Sequence, residues 1–172
     1  MATIKGWAVF AHPLFLEQVD RVSDAVEHDR AKDPAGYLTG GNAKLALAIR
    51  KLITDTIPSD PASPSFRQGN TLGPAYRHWF RAKFGNGRYR LFYRYSAASK
   101  VIIYAWVNDE QSLRTYGSRS DAYAVFKGML DKGNPPDDWT KLLAACDQKK
   151  EWLDRMVAGG ILDTARFPPL RG

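Results

Sequence analysis

The sequence predicts an α+β fold, and three patterns carry the prediction. Two aromatic-rich runs flank a Gly-Asn-Gly turn and lead into an almost wholly apolar third run, which reads as a β-hairpin continued by a further strand. Ahead of them, two stretches repeat apolar residues at helical spacing. A short aromatic and β-branched run precedes both. The order is β-α-α-β-β-β-α with a helical C-terminal extension, two helices packing on an antiparallel-rich sheet.

Each element has its own signal. Residues 6–12, GWAVFAH, suit a short strand, and Pro13 stops it or turns the chain. Phe15, Val19, Val22 and Val26 then recur at helical spacing among acidic residues, giving an amphipathic helix that ends near Asp33-Pro34. A second helix fits 42–57, with Leu45, Ile49, Leu52, Ile53 and Ile57 as its apolar stripe. Asn42 is a candidate N-cap and Pro58 the stop. Residues 58–76 are rich in Pro, Ser, Gly and Asn and read as a long surface loop pinned by Phe66 and Leu72. Runs 78–84 and 88–96 form the hairpin around Gly85-Asn86-Gly87. Run 100–107, KVIIYAWV, is apolar enough for a central strand. A helix fits about 119–132, with Tyr123, Phe126, Met129 and Leu130 on one face and Gly133 after its end. Asp137 or Asp138 can cap a last helix carrying Trp139, Leu142, Leu143 and Cys146. Residues 157–172, with Gly159-Gly160 and Pro168-Pro169, read as loose.

At 172 residues and 44% hydrophobic, the chain suits one domain with an ordinary core. Its single Cys excludes an intramolecular disulfide and a Cys-built zinc cluster, and points to a reducing, cytoplasmic location. The start, MATIKGWAVFAHP, has no secretory pattern. The longest apolar run, Val101 to Val107, is far below the roughly 18 residues of a membrane span, so no membrane partner is expected.

The net charge of +7 is not spread evenly. Residues 1–60 carry 7 basic and 8 acidic side chains, residues 61–108 carry 8 and 0, and residues 109–172 carry 10 and 10. The whole excess lies in and around the hairpin, where it would attract a polyanion. Strand alternation puts Trp79, Arg81 and Lys83 on one face with Arg88, Arg90, Phe92 and Arg94, and His78, Phe80, Ala82 and Phe84 on the other. With helices covering one side of the sheet, the cationic face is expected to be open. Arg forks then pair with phosphates, Arg88 and Arg94 among them, while Trp79 and Phe92 offer rings to unstacked bases of single-stranded RNA. Arginines spaced along strands also discourage edge-to-edge aggregation, but mixed charges do that equally well.

The available chemistry is narrow. Two-metal nucleases need carboxylate ligands, and this face has none; Asp109-Glu110, just beyond the third strand, reads better as a cap of that junction. His12, His28 and His78 are scattered, and Cys146 lies on an apolar stripe. RNA cleavage in which the substrate's own 2′-OH attacks needs only in-line orientation, electrostatic stabilisation and proton transfer. The competing class is a non-catalytic RNA- or DNA-binding regulatory module using the same surface, and a third is a docking site for an acidic protein.

Six strings occur in order: GWAVFAHP (6–13), SPSFRQG (63–69), RAKFGNGRYRLFYRYS (81–96), WVNDEQSLRTYG (106–117), DAYAVFKGML (121–130) and PPDDW (135–139). From Gly6 to Trp139 this set resembles the YhaV family of bacterial toxins, within the RelE-like superfamily. The resemblance implies a RelE-like core over residues 1–139, with 140–172 as a helical extension and tail. It implies a metal-independent endoribonuclease without cofactor that cleaves mRNA, free or ribosome-bound, and arrests translation and growth. It also implies a cognate PrlF-like antitoxin with an AbrB-like DNA-binding domain, which brings operator DNA. Arg81 and Lys83 match the first basic strand, and Arg90 resembles the arginine at the scissile phosphate. Arg114, Arg119 and Tyr123 lie where relatives place an arginine and an acid–base Tyr or His. No His follows His78, so a mechanism using a late His does not transfer. Tyr123 equally suits packing with Phe126 and Leu130, and Arg114 and Arg119 suit a helix start beside Asp121.

Overall fold

The computed structural model describes residues 3–146. Its five strands are β1 (Thr3–Ile4), β2 (Trp7–Ala11), β3 (Phe80–Phe84), β4 (Tyr89–Ser96) and β5 (Val101–Val107), in sheet order β1-β2-β5-β4-β3. β2 pairs parallel with β5 and the other three pairings are antiparallel. The apolar strand β5 is central, as its composition predicts. The two-residue β1 is too short to leave a sequence pattern.

Helix α1 spans Pro13–Lys32, with His12 as N-cap: its Nδ1 accepts from Leu14 N at 3.1 Å, and Pro13 occupies the first turn, where it is tolerated. Helix α2 spans Gly41–Lys51, continues through a π-helical turn at Leu52–Thr56, and ends in α3 (Ile57–Ser59). Its N-cap is Gly40; Asn42 lies inside the first turn and donates to Asp29 Oδ2 at 2.9 Å, tying α2 to α1. Pro58 does not stop the helix, because it falls in the first turn of α3, and the chain leaves at Asp60. Phe15, Val19, Val26, Ala46, Ile49 and Ile53 pack on Ala82, Leu91, Tyr93 and Tyr104 to make the first core.

The loop before β3 carries 3₁₀ turns at Pro64–Phe66 and Pro74–Tyr76, with Leu72 fully buried and Phe66 against Tyr93. Buried Gln68 closes it: its Nε2 donates to Tyr76 O at 2.8 Å and its Oε1 accepts from Leu72 N at 3.0 Å. In the hairpin turn Gly85, Asn86 and Gly87 all have positive φ, which two glycines and an asparagine accept at little cost.

The second sheet face departs from expectation. It is covered, not open: helix α4 (Ala122–Asp131) and helix α5 (Trp139–Ala145) build a second core with Ala8, Phe10, Trp79, Phe92, Ile103 and Trp106. The reason is apolar surface on both sides. Phe126 stacks 4.2 Å from Phe92 and meets Trp79 edge-on at 5.1 Å, so the rings that looked like base platforms are filled by α4. Asp121 and Asp138 N-cap the two helices, and Gly133 follows α4 at φ 80. Cys146 is a buried core residue. The loose segment expected at 157–172 lies outside the described residues.

Candidate active site

Three arginines converge on one phenol. Arg81, on β3, donates Nε–H to Tyr123 Oη at 2.9 Å. Arg90, on β4, donates Nε–H to the same oxygen at 3.0 Å. Arg114 lies with its guanidinium carbon 4.7 Å from the Tyr123 ring centroid. Tyr123 sits in the first turn of α4, so the covering helix carries the acceptor and the strands carry the donors. A phenolic oxygen has two acceptor lone pairs and one O–H. Both arginines claim the lone pairs, leaving the O–H as its remaining hydrogen-bonding element.

Each cation is fixed from behind. Arg81 Nη1 donates to Ser65 O at 2.9 Å. Arg90 Nη1 donates to Gly87 O at 2.7 Å and Tyr89 O at 3.0 Å, inside the turn. Asn108 locks the strand end: Oδ1 accepts from Arg90 N at 2.6 Å, and Nδ2 donates to Ser112 O at 2.9 Å and Arg88 O at 3.1 Å. Asp121 joins the far side, with Oδ1 accepting from Arg114 Nη1 at 2.5 Å and Thr115 N at 2.6 Å, and Oδ2 from Tyr123 N. The cluster therefore holds three buried or half-buried guanidiniums and one carboxylate. The uncompensated positive charge favours an anion. Arg114 Nε is buried without a hydrogen-bond partner among the described residues, a cost of roughly 1–3 kcal/mol.

The expected residues divide cleanly. Arg81, Arg90, Arg114 and Tyr123 come together. Tyr123 packs with Phe92 and Phe126, as the packing alternative expects, and its phenolic oxygen also accepts from the two arginines. Lys83 is exposed, across the ladder from Arg90. Arg88 and Arg119 are exposed outside the cluster. Trp79 and Phe92 are fully buried and offer no ring face to a base. Arg94 is clamped between Trp79 and Trp139, at 5.5 and 5.3 Å, and donates to Asp137 O at 2.5 Å; burial lowers its pKa. His78, expected on the covered face, is exposed and contacts Asp137 at 2.6 Å, because it precedes the point where β3 begins. Asp109 caps the junction after β5, accepting from Gln111 N and Ser112 Oγ. Asn108 carried no sequence pattern that marked it, nor did the Ser65 carbonyl.

Among the described residues no group of three or more His, Cys, Asp or Glu is placed to hold a metal ion, and no helix is long and apolar enough to cross a membrane.

The family model described as "Toxin with endonuclease activity, of toxin-antitoxin system" matches residues 9–147. The chain is similar to the Ribonuclease toxin YhaV of Escherichia coli strain K12, 49% identical over 140 residues that span 81% of this chain and 91% of that relative. Toxin YhaV of Escherichia coli O157:H7 and of strain O6:H1 show the same identity and coverage. No solved structure matches the chain.

Proposed function

Because the chain belongs to the YhaV family of toxins with endonuclease activity, we propose that it cleaves RNA at the cluster around Tyr123. The observation that supports this most is the pair of guanidinium Nε–H groups on one phenolic oxygen. In the proposed step the ribose 2′-oxygen attacks the adjacent phosphorus and loses its proton, and the P–O5′ bond breaks. The 5′-oxygen takes up a proton, leaving a 2′,3′-cyclic phosphate and a 5′-hydroxyl. Arg81, Arg90 and Arg114 stabilise the charge that develops on the phosphoryl oxygens. Tyr123 transfers a proton, and Lys83 assists at the exposed lip of the site. Arg88 and Arg119 steer the RNA.

The same reading makes the step metal-independent. What supports it is the employment of Asp121, whose two oxygens serve Arg114 and two backbone N–H groups. We read the core over residues 1–139 as RelE-like, on the order of strand, two helices and three antiparallel-linked strands, with 140–172 as an extension whose first helix lies back on the sheet. The proposed biology is cleavage of mRNA in the cytoplasm, free or on ribosomes, until a PrlF-like antitoxin with an AbrB-like domain neutralises the toxin and brings operator DNA.

Purified protein incubated with a defined RNA in EDTA tests the reaction. Expected are new 5′-hydroxyl and cyclic-phosphate ends, absent with a folded Arg81→Ala/Arg90→Ala variant. RNA bound but uncut would favour the non-catalytic module. Cleavage undiminished in the variant would move the site elsewhere.

A further inference from the structure

We propose that the loop before β3 holds a second phosphate subsite for single-stranded RNA, formed by Arg67 and Arg77. This rests on the reading of the chain as an RNA endonuclease. Arg67, Gly69, Asn70, Arg77 and Phe80 line an open concavity of about 370 Å³. Both arginines are exposed, and among the described residues neither joins an ion pair. No carboxylate lines the groove. Arg77 Nε donates to Asn70 Oδ1 at 2.6 Å, which orients the guanidinium and leaves its two Nη groups for a ligand.

The groove is preorganised. Gln68 follows Arg67 in sequence and, while 4% exposed, holds the carbonyl of Tyr76, the residue before Arg77. One buried amide thus draws together the two positions from which the arginines project. Thr71 Oγ1 tightens the loop by donating to Gln68 O at 2.7 Å, and Gly69 takes φ +63 just after the clamp. An isolated antiparallel bridge joins Arg67 to Phe80. Two guanidiniums held in one acid-free concavity repel each other, and an anion lying between them removes that repulsion.

The groove also adjoins the cluster. Phe80 lines it and directly precedes Arg81, while Ser65, two residues before Arg67, gives its carbonyl to Arg81 Nη1. Alternation sends Phe80 and Arg81 to opposite faces of β3, which is the sheet's edge strand. A single RNA strand held at both places therefore turns over that edge. Its scissile phosphate sits at the arginine–phenol cluster, and a more distant phosphate sits in the groove.

The test compares wild type with Arg67→Ala/Arg77→Ala and Arg67→Lys/Arg77→Lys variants, each shown to melt like wild type. The binding probe is a fully 2′-O-methylated RNA of about 20 nucleotides, longer than single-stranded sites usually are and unable to be cut through a 2′-OH. The Ala variant is expected to flatten the plot of log affinity against log salt by about 0.7, the value for one lost phosphate contact on a single strand. The Lys variant keeps the wild-type slope. On unmodified RNA the Ala variant raises KM and leaves kcat unchanged. A wild-type slope and KM in the Ala variant would overturn the subsite, as would a lowered kcat at unchanged KM. A wild type that binds without cutting overturns the endonuclease reading instead, and the slope then still decides the groove. A wild type that does not bind RNA at all overturns both.

Discussion

Arg90 holds Tyr123 in two ways: its Nε–H donates to the phenolic oxygen at 3.0 Å, and its guanidinium carbon lies 5.6 Å from the ring centroid. Only the first contact needs the hydroxyl, so Tyr123→Phe separates them. The ring keeps its packing on Phe92 and Phe126, while two charged donors lose their acceptor. Stability is expected to fall by about 1–3 kcal/mol. RNA cleavage, compared at equal folded fraction, is expected to fall about 10²- to 10⁴-fold. A rate within a few-fold of wild type would remove the phenol from the chemistry.

Asn108 never meets the phenol, yet it fixes the backbone from which Arg90 extends. Asn108→Ala leaves Arg90 N and Ser112 O without their side-chain partner, while Arg88 O keeps its bond from Arg114 N. Urea unfolding is expected to show a loss of roughly 2–3 kcal/mol. Cleavage by the remaining folded protein should show a lower kcat and an RNA affinity close to wild type, because the exposed cations are untouched. An unchanged kcat would mean that Arg90 needs no such positioning.

Arg94 is held in the aromatic packing between Trp79 and Trp139. Arg94→Met keeps the stem and removes the cation held between Trp79 and Trp139. The expected loss is about 1–3 kcal/mol in thermal or urea unfolding. RNA binding by the folded variant should retain the wild-type salt slope. A flatter slope would return Arg94 to the RNA-binding surface.

His12 makes stability depend on pH. Burial lowers its pKa from the ordinary 6.5 of a histidine to about 4. The folded state thus takes up this proton less readily than the unfolded state. The stabilisation is full above about pH 6.5 and declines as pH falls towards 4, by an amount on the order of 3 kcal/mol. Protonation also puts a hydrogen on Nδ1, which then stops accepting from Leu14 N. His12→Asn preserves an N-cap acceptor without the titration. Its urea midpoint should change less than that of wild type between pH 7 and pH 5. Equal changes would show that other groups govern this range.

Local order was legible where short-range chemistry decides it. The Gly85-Asn86-Gly87 turn, the apolar β5 and the Asp-capped late helices all follow from residues close in sequence. What stayed hidden was which layer covers which face. Alternation correctly grouped Trp79, Arg81, Lys83, Arg90, Phe92 and Arg94, but a strand does not state its partner. The apolar members of that group were the clue, because Trp79 and Phe92 need cover and α4 supplies a matching stripe. The centre itself joins Tyr123 to residues 42 and 33 positions earlier. No local pattern encodes such a contact, so Arg81, Arg90 and Tyr123 could be named separately but not joined.

The placement of Tyr123 on the covering helix also imposes an order of manufacture. A chain made from its N-terminus acquires Arg81 and Arg90 before the acceptor that binds them both. Until α4 emerges and lies against Phe92 and Trp79, the strands present two arginines and no phenol. A product that stops short of Asp121 is permanently incomplete, whatever the quality of its hairpin. The arginine pair on the strands meets its phenol only after α4 has been made.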